Sequence, residues 1–419
     1  MVANGNPANA IGGARAVSRC DLLGVPPFSD MEGGLYRGYL SPAYRAAQDR
    51  LAQWFEQAGM TVRRDAAANL VGRYEGATPG AKALIIGSHL DSVRDGGFYD
   101  GPLGIMLGVE CVAALDKAGT RLPFAIEIYA FGDEEGSRFP AAMLTSRAVA
   151  GTLSPDALDL RDGDGVALQD AGIDIDSYLS AMRAPGTTLA YLEAHIEQGP
   201  VLEAQGLAIG TVTGIAAQLR FAATVTGQAN HAGTTTMGLR RDAMTGAAQM
   251  MLAIERIACD DASDLVATVG RVEALPGAAN VIPGEVRFTI DVRSGEEARR
   301  NRAAQAIRVA LEEIAAARGL RLSVTQVHDL PASPCDPALM DLMDAAIADA
   351  GQPPFSLVSG AGHDAMVMAA LCPTAMLFIR CRDGISHNPA EHVDPADVDI
   401  ALRAMTGFIE KLGETFADA

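Results

Sequence analysis

The chain has 419 residues, with 33 lysines and arginines against 52 aspartates and glutamates, for a net charge of −19 at pH 7. That length supports a large core and two domains, and 49% hydrophobic against 20% charged residues is a globular composition rather than a disordered one. The acidity speaks against a nucleic-acid partner, since nothing offsets phosphate repulsion; spread along the chain, its plainest meaning is solubility. The six cysteines (Cys20, Cys111, Cys259, Cys335, Cys372 and Cys381) form no C-x-x-C pair and suit reduced thiols. With no apolar N-terminal segment and no run long enough to span a bilayer, the expectation is a cytoplasmic protein without a membrane partner.

Residues 1–34 are rich in glycine and alanine and give no clear element. Residues 41–59 read as an amphipathic helix, with Ser41-Pro42 at its start and Trp54 and Phe55 on its apolar face. Short strands are expected at 61–62 and 69–74. Ala83-Leu84-Ile85-Ile86, bounded by Gly87, reads as a buried strand. Residues 103–118, preceded by Pro102 and closed by Gly119, read as a buried helix. The loop between them carries His89, Asp91, Asp95 and Asp100 among four glycines. Imidazole and carboxylates on a loop leaving a strand are the ligand set of a divalent metal.

Residues 124–131 form a strong strand pattern that ends in Gly132-Asp133-Glu134-Glu135-Gly136. Residues 140–185 are an insertion rich in Asp and Ala, helical in parts, and the run 191–199 sets His195 between Glu193 and Glu197. The pattern changes around 210–214. Strands at 219–226, 265–273, 285–292 and 320–327, with helices at 242–257 and 296–317, make an α+β unit. Helices at 337–350 and 365–371 then precede an apolar strand at 375–379, which runs into Arg380 to His387, and a last helix covers 395–412. The expected architecture is α/β: a catalytic domain with a sheet flanked by helices, in two parts at 1–213 and 329–419. An α+β domain at 214–328 is inserted between them.

Three apolar strands thus end in metal-competent residues: His89 to Asp100, Glu134-Glu135, and His387. In one parallel sheet their C-terminal ends would converge on one crevice. Taken singly, each has a plainer reading, such as a structural histidine or a solvated acidic turn. On the Glu134-Glu135 turn, one carboxylate can bind a metal while its neighbour takes a proton from water. The segment Gly360-Ala361-Gly362-His363-Asp364-Ala365 fits a G-x-G-x-x-A pattern but lacks a βαβ frame, which argues against a dinucleotide site.

Several runs together resemble the M20-type metallo-amidohydrolases. They are His89-Leu90-Asp91, Asp100-Gly101, Asp133-Glu134-Glu135-Gly136-Ser137-Arg138-Phe139, Glu193-Ala194-His195-Ile196-Glu197-Gln198-Gly199, His231-Ala232-Gly233, Asn280-Val281-Ile282-Pro283, Asp291-Val292-Arg293 and Ser386-His387. They resemble most the branch of allantoate amidohydrolases and N-carbamoyl-L-amino-acid hydrolases. The superfamily's peptidases carry a carboxylate where this chain has His195. The resemblance implies two divalent metal ions, zinc or manganese, with cobalt or nickel also compatible. His89, Asp100 and His195 would hold one, and Asp100, Glu135 and His387 the other, with Asp100 bridging.

By the same resemblance Asp91 would orient His89, and Glu134 would be the general base. His231 would polarise the scissile carbonyl from a lid or dimerisation domain, in its own or a partner subunit of a homodimer. Arg293 would grip a substrate carboxylate with Asn280 alongside, and Gln198 and Gly362 would line the pocket. For His231 and Arg293 the plain alternatives are a polar-loop histidine and a surface arginine. The implied activity is hydrolysis of a ureido carbon–nitrogen bond, with allantoate ahead of an N-carbamoyl amino acid. An M20 peptidase or aminoacylase and a catalytically silent relative are the remaining alternatives.

Overall fold

The computed structural model describes residues 10–417, and the chain forms two compact units. The first comprises the described parts of Met1–Thr213 and Gly362–Ala419 together with Cys335–Leu357; the second comprises Gly214–Pro334 and Val358–Ala361.

In the first unit the sheet runs in the order Thr61–Arg64, Leu70–Tyr74, Ala125–Phe131, Ala83–His89, Thr188–Ile196, Thr374–Ile379, Ile209–Ile215. The four strands from Ala125–Phe131 to Thr374–Ile379 are mutually parallel, and antiparallel strands flank them on both sides. The sheet is therefore mixed, and only its centre has the parallel order that aligns strand ends. Every residue of Ala83–His89 and Ala125–Phe131 is buried, so both faces of the centre are covered, as their continuous apolar runs require. Ser41 opens the helix Pro42–Gln57 by accepting a hydrogen bond from the Tyr44 N–H, and Asp336 does the same for Pro337–Asp349 from Leu339.

Several elements carry no clear sequence signal, the strand Ile209–Ile215 among them. Residues 13–23 form the helix Gly13–Leu23, whose buried Ala16, Val17, Cys20 and Leu23 lie at helical spacing. Its Arg15 and Arg19 pair with Glu110, which is fully buried. The strand Thr188–Ile196 was hidden by Glu193 and His195, two polar residues inside an apolar run; both are buried here.

The second unit is an antiparallel sheet in the order Val272–Leu275, Glu285–Ser294, Ala217–Thr226, Arg321–Leu330, with Val266–Thr268 also paired to Glu285–Ser294. Burial along Glu285–Ser294 alternates, the mark of a sheet covered on one face; the helices Ala243–Cys259 and Glu297–Ala317 pack against it. The strand expected at 265–273 is broken. Thr268 pairs with Asp291 and Val272 with Phe288, so the segment gains one residue on its partner. The Thr289 N–H donates to the Arg271 carbonyl and the Arg271 N–H to Thr289 Oγ1, a bulge centred on Gly270. The unit also runs past 328 to Pro334, because the last long strand continues to Leu330 beyond an irregularity at Gln326 and His328. Among the described residues no helix is long and apolar enough to cross a membrane.

Candidate metal centre

His89 ends its strand, and Asp100 lies two residues before the helix Pro102–Ala118. Gly101, at φ 86°, and Gly104 press the start of that helix onto two strand ends. A Cβ on Gly101 would sit 2.4 Å from the His89 carbonyl oxygen, and one on Gly104 only 2.1 Å from that of Ala194. Side chains at these two positions would push Asp100 away from both histidines.

The first cluster is tight. His89 Nε2 lies 3.5 Å from Asp100 Oδ1, His195 Nε2 lies 3.1 Å from the same oxygen, and the two Nε2 atoms are 3.4 Å apart. The far ring nitrogens fix the tautomers. His89 Nδ1 is 3.1 Å from the Asp91 carbonyl oxygen and His195 Nδ1 is 2.9 Å from that of Ile196. A carbonyl only accepts, so each Nδ1 carries the proton and each Nε2 offers a lone pair. Two lone pairs and a buried carboxylate oxygen facing one another repel, and a cation between them removes the repulsion. The donor set fits a divalent metal.

The second cluster shares Asp100. His387 Nε2 lies 3.4 Å from Asp100 Oδ2 and 3.2 Å from Glu135 Oε1. Gln198 Nε2 and Ser386 Oγ donate to Asp100 Oδ2 at 2.9 and 2.6 Å, which fixes the carboxylate's rotation. Gln198 and His387 both have left-handed backbone, at φ 57° and 55°, an unusual conformation for such residues that marks a constrained site. His89, Glu134 and Glu135 also bring ligand atoms within 4.8 Å of one another.

Glu134 lies beside the clusters and is buried. Its peptide N–H and that of Glu135 donate to Asp91 Oδ1 and Oδ2 at 3.2 and 3.3 Å, so Asp91 aims the turn as well as lying 3.9 Å from His89 Nδ1. Burial, with Glu135, Asp364 and Asp91 adding like charge against relief from His89, raises Glu134 well above the usual carboxylate range. Burial likewise lifts Asp91 to about 6, Asp133 to about 8 and Asp364 to about 8. Burial opposes a charged His89, yet Asp100, Glu134 and Asp91 raise it well above its ordinary value. A site that draws protons this strongly draws metal cations by the same field.

The remaining expected residues lie elsewhere. Gly362 is in the first unit, where a Cβ would sit 2.8 Å from Met143 Cε. His231, Asn280 and Arg293 belong to the second unit. His231 is exposed; its Nδ1 accepts the Gly233 N–H at 3.1 Å, so the proton of the neutral ring sits on Nε2, free to donate outward. The Asn280 carbonyl holds the Ala232 N–H at 2.9 Å, bracing the same loop. Arg293 presents Nε and Nη2 to Asp291 at 2.7 and 3.0 Å and donates Nη1 to the Gly360 carbonyl. One edge of its fork is therefore already occupied.

Arg37 lies in no motif, and Glu193 and His363 lie in motif runs without an assigned role. Arg37, fully buried, donates from Nε to the Leu90 carbonyl at 2.6 Å and so anchors the His89–Asp91 turn. Glu193 accepts from Ser88 Oγ, Tyr191 Oη and the Ala365 N–H, and the His363 ring lies 4.4 Å from that of His195. An arginine at 37 reads as surface in any sequence, and only its place under the strand ends reveals its part.

Parallel strands delivering imidazoles and carboxylates to one centre fit a metal-dependent enzyme with a mixed α/β fold. The chain belongs to peptidase family M20/M25/M40, whose family pattern matches residues 85–411. It is an amidohydrolase within that family. It is 42% identical over 386 residues to an N-carbamoyl-L-amino acid amidohydrolase of Geobacillus stearothermophilus, covering 91% of this chain and 94% of the relative. It is 39% identical over 430 residues to an allantoate deiminase of Arabidopsis thaliana, covering 94% of this chain and 81% of the relative. A hydantoinase/carbamoylase-family amidase from Burkholderia multivorans superposes with a TM-score of 0.89 at 34% identity, covering 96% of this chain and 98% of the other.

Proposed function

We propose that the enzyme hydrolyses a ureido carbon–nitrogen bond in a small carboxylate-bearing substrate, at a centre that binds two divalent metal ions. The observation carrying this reading is Asp100, whose two oxygens serve separate ligand groups, His89 with His195 and Glu135 with His387. Bound cations would supply Lewis acidity to the ureido carbonyl and acidify a water held beside it. Glu134 then takes the proton of the attacking water as its oxygen bonds to the ureido carbon. The same carboxyl returns that proton to the departing nitrogen as the C–N bond breaks, so no proton is lost or gained. His231, through its Nε2 proton, is assigned to the developing oxyanion, and the open edge of Arg293 to the substrate carboxylate. Asn280, Gln198 and Gly362 complete the substrate contacts.

Within this class we assign allantoate as substrate, on the runs Asp133 to Pro140 and Cys381 to His387. The Geobacillus relative favours a second reading, an N-carbamoyl-L-amino acid. Ammonia release from allantoate, measured beside amine release from N-carbamoyl amino acids and from a dipeptide, separates these and the peptidase alternative. The panel is run after reconstitution with zinc, manganese, cobalt or nickel in turn. Activity on the dipeptide alone would end the ureido reading. A homodimer through the second unit belongs to the same proposal. Met237 and Leu239, 76% and 78% exposed there, are apolar side chains that such a contact would cover, and light scattering of the Met237→Glu/Leu239→Glu variant tests it.

A further inference from the structure

We infer that Glu391 is a positioning residue: by holding the peptide of Asp100 it sets the shared carboxylate and so governs occupancy of the Asp100–Glu135–His387 ligand group. This rests on the metal-centre reading above. Glu391 follows His387 by four residues, in the loop before the last helix, and is only 6% exposed. One of its oxygens, Oε1, accepts both the Tyr99 N–H at 2.8 Å and the Asp100 N–H at 3.1 Å. Two successive peptides held by a single oxygen fix the backbone on the N-terminal side of Asp100, and with it the direction of the Asp100 Cα–Cβ bond.

The surrounding contacts are built around that carboxyl. A Cβ on Gly97 would lie 2.1 Å from Glu391 Cδ, so the loop wraps the group closely and a side chain there would displace the carboxyl. Glu391 is held in turn: its own N–H donates to the Asn388 carbonyl at 3.0 Å, and the Arg382 N–H donates to that of His392 at 2.9 Å. Tyr99 closes the far side, with its ring edge-on to His392 and its hydroxyl 2.8 Å from Asp21 Oδ1. Glu391 therefore ties the loop bearing His387 to the loop bearing Asp100. His89 and His195 do not depend on it, since each is oriented by its own strand and its own Nδ1 bond to a carbonyl. Loss of Glu391 loosens the Asp100 shared by both groups, but it also frees the His387 loop while the two imidazoles stay in place, so the Asp100–Glu135–His387 group loses more.

The test is a cobalt(II) titration of the chelator-treated full chain, followed by visible absorbance and by calorimetry. Wild type is expected to take two ions per chain. Glu391→Ala should keep one site and weaken the other by about 10- to 100-fold, as for other groups that orient ligands. Glu391→Gln keeps a carbonyl oxygen for both N–H groups and should bind close to wild type. Gly97→Ala, which forces a methyl into the Glu391 carboxyl, should reproduce the Glu391→Ala loss with Glu391 still present. If Glu391→Ala does not fold, Gly97→Ala against Glu391→Gln carries the test. Two wild-type-like sites in both Glu391→Ala and Gly97→Ala would overturn the assignment while leaving the two-metal reading intact. Equal weakening in Glu391→Gln and Glu391→Ala would also overturn it, by making charge rather than peptide geometry decisive. A wild-type chain that takes no cobalt overturns this inference together with the reading beneath it.

Discussion

His89 and His195 turn their Nε2 atoms toward each other across 3.4 Å, each held there by a carbonyl bonded to its Nδ1. A positive charge between the two nitrogens removes the repulsion of their lone pairs while each Nδ1 keeps its bond to the carbonyl. Removing metal with a chelator should therefore lower the unfolding temperature as well as abolish turnover, and readdition should restore both. At an ion concentration of 100 Kd the stabilisation is about 2.7 kcal/mol. Calorimetric scans with and without chelator check this, and an unchanged midpoint would remove the cation from the site.

Glu134→Gln keeps the shape of the side chain and cannot take a proton. It should retain the metal content of the wild type while kcat falls by roughly 10²- to 10⁴-fold. Metal analysis and kinetics on one preparation separate this from a loss of ligands. Normal turnover would reassign the base.

Asp91 touches the centre through peptides rather than through the reacting atoms, accepting from the N–H groups of Glu134 and Glu135. Asp91→Asn replaces one accepting oxygen by a donor facing an N–H. Metal affinity or activity should fall about 10- to 100-fold, with the far-ultraviolet dichroism unchanged.

Arg293 and Asp291 act as a pair. Arg293→Ala should raise KM for carboxylate-bearing substrates with a smaller effect on kcat, and an unchanged KM would take it out of the pocket. Asp291 titrates below its ordinary value; partial burial opposes this, but hydrogen bonds from Arg293 and Arg220 outweigh it. A lowered folded-state pKa contributes stability that is full above the unfolded value of about 3.9 and fades as pH falls through the folded value. The unfolding midpoint of Asp291→Asn should thus lie below wild type at neutral pH, and the two should converge in acid.

Gly104→Ala tests the seat of the ligand helix. Its methyl would meet the Ala194 carbonyl oxygen at 2.1 Å, a contact with backbone that no rotamer relieves. Destabilisation of about 1–3 kcal/mol or more is expected, along with weaker metal binding, because the shift moves Asp100 relative to His195. Thermal scans and cobalt titration read the two effects.

Part of the candidate centre was legible because local pattern carries it, while His195 entered only through the family resemblance. A short apolar run before His89, another before Glu134-Glu135 and a third before His387 need only burial on both faces to become central strands, and burial is written in their composition. The helix Pro102–Ala118 announced itself through Pro102 and Gly119. Where polar residues are buried by partners far along the chain, the pattern misleads. Glu193 and His195 concealed the strand Thr188–Ile196, and Arg15 and Arg19 gave no sign of the buried Glu110 awaiting them. The break at Gly270 likewise depends on Thr289 across the sheet.

By itself the sequence determined which side chains could hold a cation and three of the strands that would carry them, since periodicity and residue chemistry are local properties. Only the tertiary structure decided that Asp100 faces two imidazoles with one oxygen and a third with the other. It also decided that Asp91 aims the Glu134 turn and that one edge of Arg293 is already spent on Asp291. Those are matters of distance and direction between segments up to about three hundred residues apart, and such geometry is fixed by how strands order in a sheet and where glycine lets two backbones touch.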